Sequence, residues 1–274
     1  MRLILLDVLK YNSGVLSLQF IENSLKFVAA LSSGSVGLFH IAKNKKIKLL
    51  EEVCIKTNEE LCLNIYEVNN IVWFTTSNGN VGTCVLTNSG ISKQNVFQSD
   101  DKYESWSVIS HEFEPNIGYS CSDDGLIHIW DVRIQKKSGS FNKYHDYGVC
   151  SLSWPNPQIN NLLCSGGFDN NIYFWDPRVL KCPSSGIIVT HSVWNVKWVP
   201  LRKRIASIAA LSDGNCCIEL APDHLSLTQL SSYSEPKSIV YCTDIQFSTK
   251  EDTTDNLICC TSFYDCMLHV WKQN

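Results

Sequence analysis

Apolar and polar positions along this chain alternate in a repeating block. Each block begins with a short apolar run, such as Leu162–Leu163 or Ile258–Cys260, and reaches a polar turn. It then alternates residue by residue, as from Leu126 to Trp130, the period-2 pattern of a half-buried strand. A further β-prone run lies upstream of each block, for example Val149 to Trp154 and Val193 to Trp198. Three or four strands per block leave little of the chain for helix.

The blocks are copies of one unit. Ser120 to Arg133 (SCSDDGLIHIWDVR) and Cys164 to Arg178 (CSGGFDNNIYFWDPR) match closely, Thr261 to Trp271 is a third copy, and three eroded copies complete the set. Aligned on Trp130, the series runs Phe39, Cys84, Trp130, Trp175, Glu219, Trp271, in steps of 45, 46, 45, 44 and 52 residues. Six residues earlier, Asp124, Asp169, Asp213 and Asp265 hold a turn position that Ser33 and Asn78 take in the first two copies. Asp and Asn suit that place because they bond the local backbone and tolerate left-handed geometry. A four-stranded propeller blade has this period, and a unit that cannot bury its own faces must stack on its neighbours. The reading is an all-β, WD-repeat β-propeller with six repeats, one domain spanning residues 1–274. A seventh repeat missing at the N-terminus is the alternative. The apolar run Leu3 to Leu9 is too short and too interrupted by Asp7 to be a membrane or signal segment. It is expected to complete the last blade beside the strand ending at Trp271, removing an open edge.

Composition adds limits. The chain has 274 residues, 44% of them hydrophobic and 18% charged, with a net charge of −4. No basic block points to nucleic acid, and the lysines from Lys43 to Lys48 read as a solvated loop. Thirteen cysteines, an odd count without a C-x-x-C pair, read as reduced thiols filling core positions in a cytoplasmic protein. No disulfide, metal site or cofactor is expected. Sequence motifs for catalysis are absent, and the residues alone point to a rigid binding platform.

Four strings narrow this further: Tyr103 to Trp106 (YESW), Tyr144 to Pro155 (YHDYGVCSLSWP), His191 to Pro200 (HSVWNVKWVP), and Ser238 to Asp244 (SIVYCTD) leading into Cys259 to Trp271 (CCTSFYDCMLHVW). They resemble the WD-repeat diphthine methyl ester hydrolases of the diphthamide pathway, well from Tyr103 onward and weakly before it. The resemblance implies a cofactor-free hydrolysis of the methyl ester of methylated diphthine, on a histidine of translation elongation factor 2, giving diphthine and methanol. It implies elongation factor 2 as protein substrate, other diphthamide-pathway proteins as partners, and a monomer acting away from membranes and nucleic acid. Relatives carry one more repeat at the N-terminus, and Cys266 stands where they tend to have His.

Aligning the inner strands puts Trp106, Cys150, Trp194 and Tyr241 at one equivalent position. Trp106, Trp194 and Tyr241, with His191, are the expected substrate-binding set, a cage for the trimethylammonium of the substrate. Plain capping of the core between blades accounts for them equally. Glu104 and Asp244 are the expected carboxylate bases, Tyr264 an oxyanion donor, and His145 a further catalytic candidate. His145 also fits a buried structural set with Asp169 and Trp175, and Asp265 fits the turn of its own repeat. A non-catalytic scaffold binding a protein partner is the competing function.

Overall fold

The computed structural model describes residues 5, 7–55, 60–99, 102–141, 143–155, 162–179, 181–189, 191–198, 205–210, 214–220, 227–246 and 256–273. Every regular element among them is a strand, and no helix is long and apolar enough to cross a membrane. The six repeats fold as six antiparallel sheets, the blades of a β-propeller. Sheet 1 holds β1 (Val15–Phe20), β2 (Lys26–Leu31), β3 (Ser35–Ile41) and β4 (Ile47–Cys54). Sheet 2 holds β5 (Cys62–Val68), β6 (Ile71–Thr76), β7 (Val81–Leu86) and β8 (Ile91–Phe97). Sheet 3 holds β9 (Ser105–His111), β10 (Glu114–Ser122), β11 (Ile127–Asp131) and β12 (Lys136–Ser140). Sheet 4 holds β13 (Val149–Ser153), β14 (Leu163–Gly167), β15 (Asn171–Trp175) and β16 (Ser185–Ile188). Sheet 5 holds β17 (Val193–Trp198), β18 (Ile205–Ala210), β19 (Gly214–Leu220) and β20 (Leu227–Tyr233). Sheet 6 has three strands among the described residues, β21 (Val240–Gln246), β22 (Asn256–Ser262) and β23 (Met267–Gln273). The turn position Asp213 lies outside the described residues.

Two compact units are resolved. The first comprises residues 1–122 and 128–139, the second residues 123–127 and 140–274. Inside each, a sheet buries its apolar face on the next. In the first unit Val28, Ala30, Val36 and Leu38 of sheet 1 pack on Ile65, Val72, Phe74 and Cys84 of sheet 2. One sheet further on, Phe97 stacks between Trp73 and Trp130, with centroids 6.3 and 5.8 Å away. In the second unit Cys164, Ile172 and Phe174 pack on Val196, Trp198 and Ile208. Repetition of this interface supplies the burial that no single sheet achieves alone.

Each inner strand carries a bulge at the same place. The register shifts between Val15 and Ser17, Cys62 and Asn64, Val149 and Ser151, Val193 and Asn195, and Val240 and Cys242. In β9 the shift falls between the partners of Ser105 and Ser107. The extra residues are therefore Leu16, Leu63, Trp106, Cys150, Trp194 and Tyr241. A bulge re-aims a side chain out of the alternating pattern. The residue after it staples the next inner strand: the Asn64 Oδ1 accepts from the Val108 N–H at 3.2 Å, and the Ser151 Oγ from the Val196 N–H at 3.1 Å.

The expected pairing of Leu3 to Leu9 beside the strand ending at Trp271 lies in part outside the described residues. Residues 1–4 and 6 lie outside the described set; of the described ones Leu5, Val8 and Leu9 are exposed, and Asp7 and Tyr11 reach sheet 1. Asp7 accepts from the Ile47 N–H at 2.8 Å, and the Tyr11 ring meets Phe39 edge to face at 5.8 Å. Residues 7–11 form no strand, and β23 has no fourth-strand partner among the described residues. The lysine-rich stretch is the exposed turn between β3 and β4, with Lys45 at φ 64°.

Candidate functional site

The second unit exposes a ladder of rings. Trp194 and Tyr241, the bulge residues of β17 and β21, meet edge to face with centroids 4.9 Å apart and planes at 79°. Tyr241 then contacts Phe263 at 5.3 Å, and Phe263 meets Tyr264 at 5.0 Å and 89°. On the other side Phe168 contacts Trp194 at 5.8 Å. Tyr241, Phe263 and Tyr264 are 37%, 60% and 75% exposed, which is far more than a core function would leave open. Near-perpendicular neighbours make corners, and a corner of aromatic faces is a site for a soft cation.

The turn between β22 and β23 presents Phe263 and Tyr264. Ser238 accepts from the Tyr264 N–H at 2.8 Å, and Cys266 closes the turn with φ 54°. Asp265 holds it from within, accepting from the Ser262 hydroxyl and from the Lys237 and Met267 N–H groups. The Ser262 hydrogen bond, ahead of the two backbone donors, keeps the Asp265 carboxyl below the usual range. A fixed negative charge thus sits beside Tyr264. Further along β21, Asp244 faces Lys197 of β17 across 3.9 Å, with both side chains more than half exposed.

His145 belongs to a different arrangement in this unit. Its Nδ1 lies 2.9 Å from the Asp169 carboxylate and its Nε2 lies 2.8 Å from the Ser165 Oγ. Trp175 Nε1 donates to that same Oγ at 2.8 Å. With Nδ1 protonated, the imidazole donates to Asp169 and accepts from Ser165, whose oxygen accepts from Trp175. The order Ser–His–Asp has the outline of a hydrolytic triad, but Ser165 is fully buried. Both His145 nitrogens are engaged within the fold, in the buried set with Asp169 and Trp175 that the sequence offers as one reading of this residue. Ser165 was missed in the sequence. Its signal is the ten-residue offset to Trp175, repeated in the first unit where Trp130 Nε1 donates to Ser120 at 2.8 Å.

The other candidates are dispersed. Trp106 is half-buried at the bulge of β9 in the first unit, and Glu104 is half-buried just before that strand. His191 is half-buried in the segment entering β17. The structure brings together Trp194, Tyr241 and Tyr264, and adds Phe168 and Phe263. A cleft of about 260 Å³ in the first unit, lined by Asn78, Asn80, Gln98, Ser99 and Lys102, holds none of the expected site residues. No group of three His, Cys, Asp or Glu residues that could hold a metal occurs among the described residues. The twelve described cysteines are free thiols.

A family model for the WD domain, G-beta repeat, matches residues 136–176. Diphthine methyltransferase of Homo sapiens is 28% identical over 78% of this chain and 50% of its own length. The diphthine methyltransferase homolog of Dictyostelium discoideum is 27% identical over 96% of this chain and 77% of its own. The chain thus spans half the length of the human relative. Among solved structures, one chain of the mitotic checkpoint complex aligns with a TM-score of 0.75 at 14% identity, covering 96% of this chain and 76% of that one. That likeness carries the propeller fold alone.

These names correct the expected activity. The relatives are named for methyl transfer, not for ester hydrolysis, and the hydrolase reading falls with that finding. The roles of Glu104 and Asp244 as water-activating bases and of Tyr264 as oxyanion donor were tied to hydrolysis and fall with it. The WD-repeat fold and the likeness to proteins of diphthine chemistry stand.

Proposed function

We propose that this chain works on the methylation of diphthine in diphthamide biosynthesis, and that the aromatic ladder of the second unit receives the trimethylammonium group of the modified histidine on elongation factor 2. The observation carrying this reading is the run of exposed rings from Trp194 through Tyr241 and Phe263 to Tyr264. A quaternary ammonium cannot donate a hydrogen bond, so its recognition falls on π faces and nearby carboxylates. Asp265 supplies such a charge at the end of the ladder. A ligand carried on a folded protein needs an open surface, which these rings provide. Similarity to relatives named for diphthine methyl chemistry supplies the substrate class.

The test has two parts. Intrinsic fluorescence is titrated with a trimethylammonium-bearing histidine peptide and with its unmethylated amine counterpart. The methylated peptide should bind at least about tenfold more tightly. Intact mass of diphthine-bearing elongation factor 2, followed with the purified chain present, should then show a change in methyl count. Equal affinity for the two peptides sinks the ladder as the binding surface. An unchanged methyl count under every supplied methyl donor and acceptor sinks the activity.

A further inference from the structure

The ladder of rings is longer than one quaternary ammonium needs. Its contacts, from Phe168 through Trp194, Tyr241 and Phe263 to Tyr264, span between 4.9 and 5.8 Å each. A caged cation lies within about 6 Å of the centroids that hold it, so one trimethylammonium fills one corner. Asp265 marks the Tyr264 end as that corner. Phe168 and Trp194 are left for a second group.

Their end of the ladder is built on the same plan. Phe168 and Tyr264 each stand directly before the turn aspartate of their repeat, and Asp123 holds that place before Asp124. Phe168 contacts Trp194, the extra residue of the next inner strand. Asp123 stands in the same relation to Cys150, whose thiol is pushed up by burial first and then by the Asp123 and Asp169 charges. Gly148 shows how near Asp123 and Phe168 come to each other. A methyl group on its Cα would meet the Asp123 Oδ1 at 2.7 Å and the Phe168 Cδ2 at 3.5 Å. The row thus runs on from Phe168 to a carboxylate, entirely within the second unit.

Asp123 is exposed. The loop against its turn brings one lysine, Lys143, and a further exposed aspartate, Asp146, so this end stays negative. Aromatic faces beside a carboxylate suit a cation that also carries N–H donors, which is the chemistry of a lysine or arginine side chain.

We propose that the Phe168–Trp194 end of the ladder, with Asp123, binds a lysine or arginine side chain of the same polypeptide that carries the trimethylammonium. The inference rests on the reading of the ladder given above and adds a second charge to what the ladder recognises. The Trp194–Tyr241 and Tyr241–Phe263 contacts, 4.9 and 5.3 Å, lie between the two corners. An extended chain advances about 3.3 Å per residue, so the second cation belongs about three to five residues from the modified histidine.

Fluorescence titration of the full chain tests this with peptides that bear a trimethylammonium histidine and carry lysine, alanine or glutamate at each of several spacings from it. Lysine about three to five residues away should tighten binding about fivefold over alanine, and glutamate should weaken it by a similar factor. Asp123→Asn should abolish the lysine gain and leave the alanine peptide's affinity unchanged, whereas Asp123→Glu should retain the gain. The spacing series uses the wild-type chain and so stands apart from any effect of a substitution on folding. A trimethylammonium preference with no lysine gain at any spacing overturns this inference alone. So does a gain indifferent to spacing, which a net charge of −4 would produce by general attraction, or a gain that survives Asp123→Asn. An alanine peptide that binds no better than its unmethylated amine counterpart overturns the ladder reading, and this inference with it.

Discussion

Trp194 and Tyr241 lie 4.9 Å apart, edge to face, because each is the extra residue of a bulge at the same point of its inner strand. Ordinary alternation would send such residues into the packing between sheets. The bulge takes them out of that pattern, and Phe263 and Tyr264 continue the line from the β22–β23 turn. The ladder of rings is thus a consequence of strand irregularity repeated through the fold.

Removing one ring should weaken cation binding without unfolding the protein. Tyr241→Ala and Tyr264→Ala should each cost about 1 kcal/mol of affinity for a trimethylammonium peptide, or about fivefold, as partly exposed cation–π contacts do. Tyr241→Phe should bind like the wild type because the ring, and not the hydroxyl, makes the contact. Full affinity in both alanine variants would remove the ladder from the argument.

The buried network gives the opposite kind of outcome. Ser165→Ala strips the partner from His145 Nε2 and from Trp175 Nε1 at once. An unsatisfied buried polar group costs about 1–3 kcal/mol, so urea unfolding should report a loss of about 2 kcal/mol or more. Peptide affinity at 25 °C should be unchanged. Ser120→Ala, which removes the acceptor of Trp130 Nε1, should act in the same direction in the first unit.

The repeat, its six sheets and most of their inner strands were legible in the sequence because a tryptophan or its substitute recurs at blade spacing. The equivalence of Trp106, Trp194 and Tyr241 was legible too, although the bulge that explains it was not, since one extra residue leaves no mark in a short strand. Phe168 escaped notice although its place before Asp169 matches that of Tyr264 before Asp265. Tyr264 was noticed for its hydroxyl, whereas it is its ring that meets Phe263. The contacts of Asp7 with the Ile47 N–H and of Tyr11 with Phe39 are long-range and no local pattern encodes them. Reaction type was the least legible property, because ring position and turn chemistry are compatible with several kinds of work on a methylated substrate.

The thiols should divide by burial. Desolvation pushes Cys84, Cys164 and Cys260 up to about 12, and pushes Cys62 and Cys150 up as well. A thiol in that range holds almost no thiolate at neutral pH, and its sulfur is out of reach besides. Brief treatment of the native protein with iodoacetamide at pH 7.5 should modify the exposed Cys54, Cys182 and Cys266 and spare those five. After urea unfolding the five should react as well. Peptide mass mapping reads both states, and rapid native labelling of Cys164 would show that the sheet 4 to sheet 5 core opens readily.

Acid should expose the contribution of Asp169. Burial on its own would raise this carboxyl, but the His145 ring, with the Asn171 N–H, outweighs it and holds the folded-state pKa below the usual range. A carboxyl depressed on folding adds stability that is fully present above the unfolded value of about 3.9 and is lost as pH falls through the folded value. Wild type should therefore exceed Asp169→Asn in urea-unfolding stability at pH 7, and the gap should narrow steadily from about pH 4 downward. Other depressed carboxyls, such as Asp131 and Asp176 beside their arginines, are present in both proteins and cancel from the difference. A gap that stays constant from pH 7 to pH 3 would mean that Asp169 acts by shape alone, with no contribution from its charge.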